Sequence, residues 1–187
     1  MNNAVAPNET GMAALIGKNS NQVQKIISEN NLNLEIANDN SEIQIVISGK
    51  IEDLNNSKDL FLDNNIKKFV LLNVSSAFHS KYMINAQKKL ADEIEGLTFK
   101  ENKIKIISNY DASIYDDNSS IKKNLQNQMA NKVNWTQSIK KLEQTGEKKI
   151  IEIGPGKVLS GLIKRISDNF EIVSINKVSD LEKNESK

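Results

Sequence analysis

The stretch GMAALIGKNSNQVQKIISENNLNLEIANDNSEIQIVISGKIEDLNNSKDLFLDNNIKKFVLLNV, residues 11–74, decides the fold. Met12–Ile16 is a short apolar run closed by Gly17, which reads as a buried strand. Asn19, Ser20 and Asn21 offer helix N-caps, and Val23, Ile26 and Ile27 then fall at helical spacing up to Asn30-Asn31. Leu32, Leu34 and Ile36 alternate with polar residues, Asp39-Asn40-Ser41 is turn chemistry, and Ile43, Ile45 and Ile47 alternate again up to Gly49. A looser helical pattern runs from Ile51 to Leu62, and Phe69–Val74 is another strand-like run. The order strand, helix, strand, strand, helix, strand predicts a split βαβ, ferredoxin-like domain over 11–74.

Outward from this stretch the rhythm changes. Residues 1–10 are polar and predict a remnant loop. After Val74 comes a loop of small residues, Ser75-Ser76-Ala77-Phe78-His79-Ser80. Met83, Ala86, Leu90 and Ile94 form a helical face, Ile104–Ile107 a strand, Asp111–Ser120 an acidic loop, and Ile121–Ala130 and Trp135–Gln144 two helices. Lys149–Ile153 reads as a strand, Gly154-Pro155-Gly156 as a tight turn, Lys157–Ile166 as a helix and Ile172–Ile175 as a last strand. This alternation predicts parallel α/β layers over 75–176, with a charged, flexible tail at 177–187.

Composition narrows the chemistry. The 187 residues carry a formal charge of +1, so no bulk field recruits nucleic acid or an anionic membrane. Cysteine is absent, which excludes disulfides, thiolate metal sites and a Cys nucleophile. One histidine, His79, and one arginine, Arg165, leave little for a metal cluster or an Arg-rich phosphate cradle, and neither metal nor organic cofactor is expected. No apolar run approaches the roughly 18 residues of a membrane span, and no signal peptide stands at the N-terminus, so a cytoplasmic protein is expected.

A lone histidine is most often a hydrogen-bonded, partly buried side chain. His79, however, sits just after a predicted strand, where α/β enzymes hold reactive groups, and its side-chain type suits proton transfer near neutral pH. A nucleophile is not evident. No Gly-x-Ser-x-Gly elbow occurs, Ser48 and Ser160 each lacking the earlier glycine, and Ser160 falls inside a predicted helix. Gly154-Pro155-Gly156-Lys157 fits neither the Walker nor the Rossmann spacing, and Asp111, Asp116 and Asp117 do not match a calcium loop.

Several segments in order carry a resemblance: Glu9–Gly17, Ile36–Asn40 with Gln44–Gly49, Val74–Ser80, Gln128 with Val133–Trp135, and Glu152–Leu162. Together they resemble the malonyl-CoA:acyl-carrier-protein transacylases of type II fatty acid synthesis, with Ala77 where that family often has Pro. The resemblance implies an α/β-hydrolase-like large domain with an inserted ferredoxin-like small domain. It implies ping-pong transfer of malonyl from malonyl-CoA, through a serine, to the phosphopantetheine thiol of acyl carrier protein. By residue, His79 matches the catalytic base, Gln128 the residue whose backbone carbonyl holds the imidazole, and Asn38 and Asn40 a segment lining the substrate cleft. The family's oxyanion segment, nucleophile elbow and carboxylate-binding arginine all precede the region equivalent to residue 1. The expectation is therefore a C-terminal portion, inactive alone, from an incomplete gene, a misassigned start, or a split enzyme with a separately encoded N-terminal half. The alternative is a non-catalytic ferredoxin-like binding module.

Overall fold

The computed structural model describes residues 9–101 and 103–181. The chain divides into two compact units, Met1–Ser138 and Ile139–Lys187. Residues 1–8 of the expected leading loop and 182–187 of the expected tail lie outside the described residues. Among the described residues no helix is long and apolar enough to cross a membrane.

The first unit begins with β1 (Thr10–Ile16), α1 (Ser20–Glu29), β2 (Leu34–Ser41), β3 (Gln44–Lys50), α2 (Ile51–Asp63) and β4 (Lys68–Leu71). Its four strands are ordered β2-β3-β1-β4, and all neighbours are antiparallel. This is the split βαβ sheet that the 11–74 periodicity predicts. A reciprocal capping box starts α1: Asn19 Oδ1 accepts from the Gln22 amide at 3.0 Å, and Gln22 Oε1 accepts from the Asn19 amide at 3.1 Å.

Alternation along the strands gives the sheet two faces. Ala13, Leu15, Ile36, Ile45 and Ile47 pack on one core with Val23, Ile26 and Ile27 of α1 and Leu54 and Phe61 of α2. Met12, Ala37 and Val46 occupy a second cluster, joined by Leu72 and Phe78. This second cluster is the floor of the candidate site.

Two sequence expectations are corrected here. Asp39-Asn40-Ser41 is not the turn of the hairpin. It belongs to β2, and the turn is Glu42-Ile43, which leaves Ile43 half exposed. The physical reason is a pair of register shifts in β2, between Ile36 and Asn38 and between Asp39 and Ser41. The outer edge of the strand is also paired: the Val133 amide donates to Ala37 O at 2.8 Å, and the Asp39 amide donates to Val133 O at 2.9 Å. The second correction is Ile104–Ile107, of which only Ile106–Ile107 is strand (β5), paired antiparallel with β6 (Ile114–Tyr115). The expected acidic loop therefore contains β6 and the start of the next helix, which Asp117 caps through the Ser120 amide at 2.7 Å.

The unit continues with α3 (Ile84–Glu95), which precedes β5, and with α4 (Asn118–Gln128), which follows β6; α5 (Trp135–Gln144) begins in it. The second unit holds β7 (Lys149–Ile153), α6 (Val158–Ile166) and β8 (Glu171–Ile175), with β7 and β8 parallel. Gly154 and Gly156, at φ of 142° and 90°, form the tight strand-to-helix turn with Pro155 between them.

Candidate functional site

The loop after β4 is held rigidly before it reaches the histidine. The Ala77 amide donates to the buried Thr10 hydroxyl at 3.1 Å, tying the loop to the first residue of β1. Ser80, fully buried, returns its hydroxyl to Ala77 O at 2.6 Å. Between these two anchors His79 takes φ of 56°, a left-handed conformation that costs a side-chain-bearing residue energy and persists only when surroundings impose it.

The imposing group is the end of α4. The last carbonyls of a helix have no partner within the helix. Here three in succession are satisfied from outside the ladder. Asn131 Nδ2 donates to Asn127 O at 2.7 Å, His79 Nδ1 lies 3.1 Å from Gln128 O, and the His79 amide donates to Met129 O at 3.1 Å. A carbonyl only accepts, so His79 Nδ1 carries a proton here, and in the neutral ring that leaves the lone pair on Nε2. His79 and Gln128, 49 residues apart in the chain, are thus brought together.

His79 forms part of the wall of a cavity of about 410 Å³. Met12, Val46, Leu72, Phe78 and Met129 make the cavity mostly apolar, and Asn38 and Asn40 add amides. Asn38 reaches this face because of the β2 register shift. Two residues after Ile36 in a regular strand it would face the helices, whereas the shift pairs it with Val46 on the cavity side. A mostly apolar wall around a few polar groups is the usual make-up of a small-molecule site. A more polar cleft of about 380 Å³, lined by Gln24, Glu35, Asn131 and Lys132 among others, also borders His79.

Met129 and Thr10, which fix the backbone around His79, carry no signal in the sequence. Met129 acts through its carbonyl, which every residue has. No serine or threonine joins this cavity's lining, although Ser20 lines the more polar cleft. Ser48 is buried on β3, and Ser160, in the second unit, shares its hydroxyl between the Glu152 carboxylate and Ser174 Oγ, the latter at 2.8 Å. The Glu152 carboxylate also accepts from the Leu159 and Ser160 amides at 3.0 and 2.9 Å, capping α6. These bonds, led by that from the Ser160 side chain, hold Glu152 below the ordinary glutamate range. The arrangement in the first unit can orient an imidazole and turn its Nε2 to proton transfer, with no serine or threonine hydroxyl beside it in the cavity lining.

No family model matches the chain. Among curated proteins it is 35% identical over 180 residues to the malonyl CoA-acyl carrier protein transacylase of Bacillus subtilis (strain 168), covering 94% of this chain and 56% of that protein. It is 41% identical over 163 residues to the polyketide biosynthesis protein PksE of the same organism, covering 86% of this chain and 21% of that one. Among solved structures, an acyl carrier protein S-malonyltransferase from Vibrio cholerae O1 biovar eltor superposes with a TM-score of 0.92 at 32% identity, covering 98% of this chain and 61% of the other. A malonyl CoA-acyl carrier protein transacylase from Clostridium perfringens gives 0.91 at 33% identity, covering 100% and 59%. The chain spans little more than half the length of the curated transacylases it matches.

Proposed function

This chain is homologous to the malonyl CoA-acyl carrier protein transacylases and has their acyltransferase α/β fold, and from that premise we propose that His79 is the general base of malonyl transfer from malonyl-CoA to acyl carrier protein. In this reading residues 11–74 are the small domain and 75–176 part of the large one, the setting is cytoplasmic, and Asn38 and Asn40 contact the substrate. Relatives named simply as malonyl CoA-acyl carrier protein transacylases and relatives named for polyketide biosynthesis are similarly close, so the proposal is the transfer itself.

The observation that carries it is the His79 Nδ1 contact with Gln128 O at the wall of the apolar cavity. With Nδ1 so engaged, Nε2 takes the proton of an attacking serine hydroxyl as the serine oxygen bonds the malonyl carbonyl carbon. The carbon–sulfur bond then breaks, and the same proton passes to the departing CoA sulfur. The carrier-protein thiol repeats the cycle in reverse: its proton goes to Nε2, its sulfur displaces the serine oxygen, and that oxygen recovers a proton. No serine lines the apolar cavity among the described residues, so in this reading the hydroxyl comes from the remainder of the fold that the relatives have.

The test is malonyl transfer from malonyl-CoA to holo-acyl carrier protein with the remainder of the fold supplied in trans from a relative. Residues 1–187 by themselves should give no turnover. The reconstituted enzyme should, and His79→Ala should lower its rate about 10²- to 10⁴-fold. Unchanged turnover in His79→Ala would leave the non-catalytic binding module as the better description.

A further inference from the structure

Helices α3 and α4 are joined by a ladder of side-chain bonds that steps one turn at a time. Lys122 Nζ donates to Glu95 O at 2.9 Å, Gln126 Nε2 to Ala91 O at 3.3 Å, and the Ala130 amide to Gln87 Oε1 at 2.8 Å. On α4 and its extension the rungs fall at 122, 126 and 130; on α3 they fall at 95, 91 and 87. Steps of four on both sides are what two antiparallel helices in register produce. The last rung is the one that matters for the site. Ala130 directly follows Gln128 and Met129, whose carbonyls hold the ring and the amide of His79.

We propose that Gln87 is a positioning residue for His79: its side-chain oxygen fixes the turn after α4 and thereby sets the imidazole tautomer. The inference deepens the reading of His79 as a base and rests on it. Helix ends fray, and carbonyls beyond the last intrahelical bond wander unless something outside holds them. The bonds within this turn, Asn131 Nδ2 to Asn127 O and Gln128 Nε2 to Asn131 O at 3.3 Å, fix its shape but not its place. Of the three rungs to α3, the one from Gln87 is the one that reaches past the helix end into this turn. The chain from His79 runs through the 3₁₀ turn Lys81–Met83 straight into α3, so the bond closes a ring from His79 to Gln87, to Ala130, and back through Gln128 and Met129. Within that ring Nδ1 meets an acceptor at a set distance, and the Nδ1–H tautomer is the one that fits.

The test needs no activity, because the chain has a single histidine and its ring nitrogens give one pair of signals in long-range ¹H–¹⁵N NMR. With the imidazole neutral, the wild-type chain should show a protonated Nδ1 and a bare Nε2, and a slowly exchanging Ala130 amide. Gln87→Met keeps length and removes the acceptor. It should shift the ring toward a mixture of tautomers and speed Ala130 exchange about fivefold or more, the loss of one ordinary hydrogen bond. Gln87→Glu keeps an acceptor oxygen and should restore both signals. A wild-type ring protonated at Nε2 overturns the base reading together with this one. A wild-type Nδ1–H ring that persists unchanged in Gln87→Met overturns the role of Gln87 and leaves the base reading standing. Should Gln87→Met not fold, the wild-type Ala130 amide decides: free exchange at the rate of open loop amides overturns the proposal, and protection supports it.

Discussion

Thr136 donates its hydroxyl to the carboxylate of Asp39 at 2.6 Å, with both residues buried. The same hydroxyl lies 3.1 Å from the Asp39 carbonyl, so the first turn of α5 is pinned to β2 across 97 residues of sequence. Asp39 stands between Asn38 and Asn40, the two amides of the cavity. Thr136→Val keeps the shape and leaves a buried carboxylate short of a donor. The expected loss is about 1–3 kcal/mol of unfolding free energy. Urea denaturation should show a lower midpoint with an unchanged slope, and Thr136→Ser should recover most of it. Equal midpoints for Thr136→Val and wild type would remove this bond from the account.

The sheet was legible because its faces are written in side-chain periodicity: alternating Ile45 and Ile47, helical Val23, Ile26 and Ile27. The β2 bulge was not, because a register shift costs one residue of pairing and leaves no mark in residue type; Asp39-Asn40-Ser41 looks like a turn wherever it falls. His79 was legible as a loop residue after a strand, but its clamp was not. The acceptors that hold it are backbone carbonyls of Gln128 and Met129, a group every residue owns. Only the family resemblance singles out Gln128, and nothing in residue type marks Met129, Gln87 or Thr10, which act through the fold that brings them to the loop. Likewise Ser160 reads as a helix serine, while its engagement by Glu152 depends on a turn that brings strand and helix ends together.

Acid should expose the capping role of Glu152. Hydrogen bonds, first that of the Ser160 side chain and then those of the Ser160 and Leu159 amides, hold its carboxyl below the ordinary value of 4.5. A group whose pKa is lower in the folded than in the unfolded chain contributes stability above the unfolded value and loses it as pH falls through the folded one. Asp117, held low chiefly by the Ser120 amide, acts in the same direction in the first unit. The unfolding midpoint of the wild type should therefore fall as pH drops below about 4.5, and Glu152→Gln should fall less. The gap between the two proteins should be widest near neutrality and close in acid. A gap that stays constant from neutral pH down to about pH 3 would show that the charge on Glu152 contributes nothing.

The second unit carries an apolar stripe that should govern how the chain behaves in solution. Ile151 and Ile153 alternate on one face of the β7–β8 pair and are 51% and 79% exposed, and Val158 at the start of α6 is 71% exposed. Side chains two apart on a strand share a face, so these isoleucines form a continuous patch rather than scattered surface residues. Such patches associate, all the more beside a short two-stranded sheet whose outer edges can accept another strand. Ile153→Lys places a charge in the patch without touching the core. Its thermal unfolding should stay within about 0.5 kcal/mol of wild type, while light scattering at equal concentration falls. Ile150→Lys, on the opposite and half-buried face, should instead lower stability. If Ile153→Lys scatters as strongly as the wild type, the association arises elsewhere and the stripe is ordinary surface.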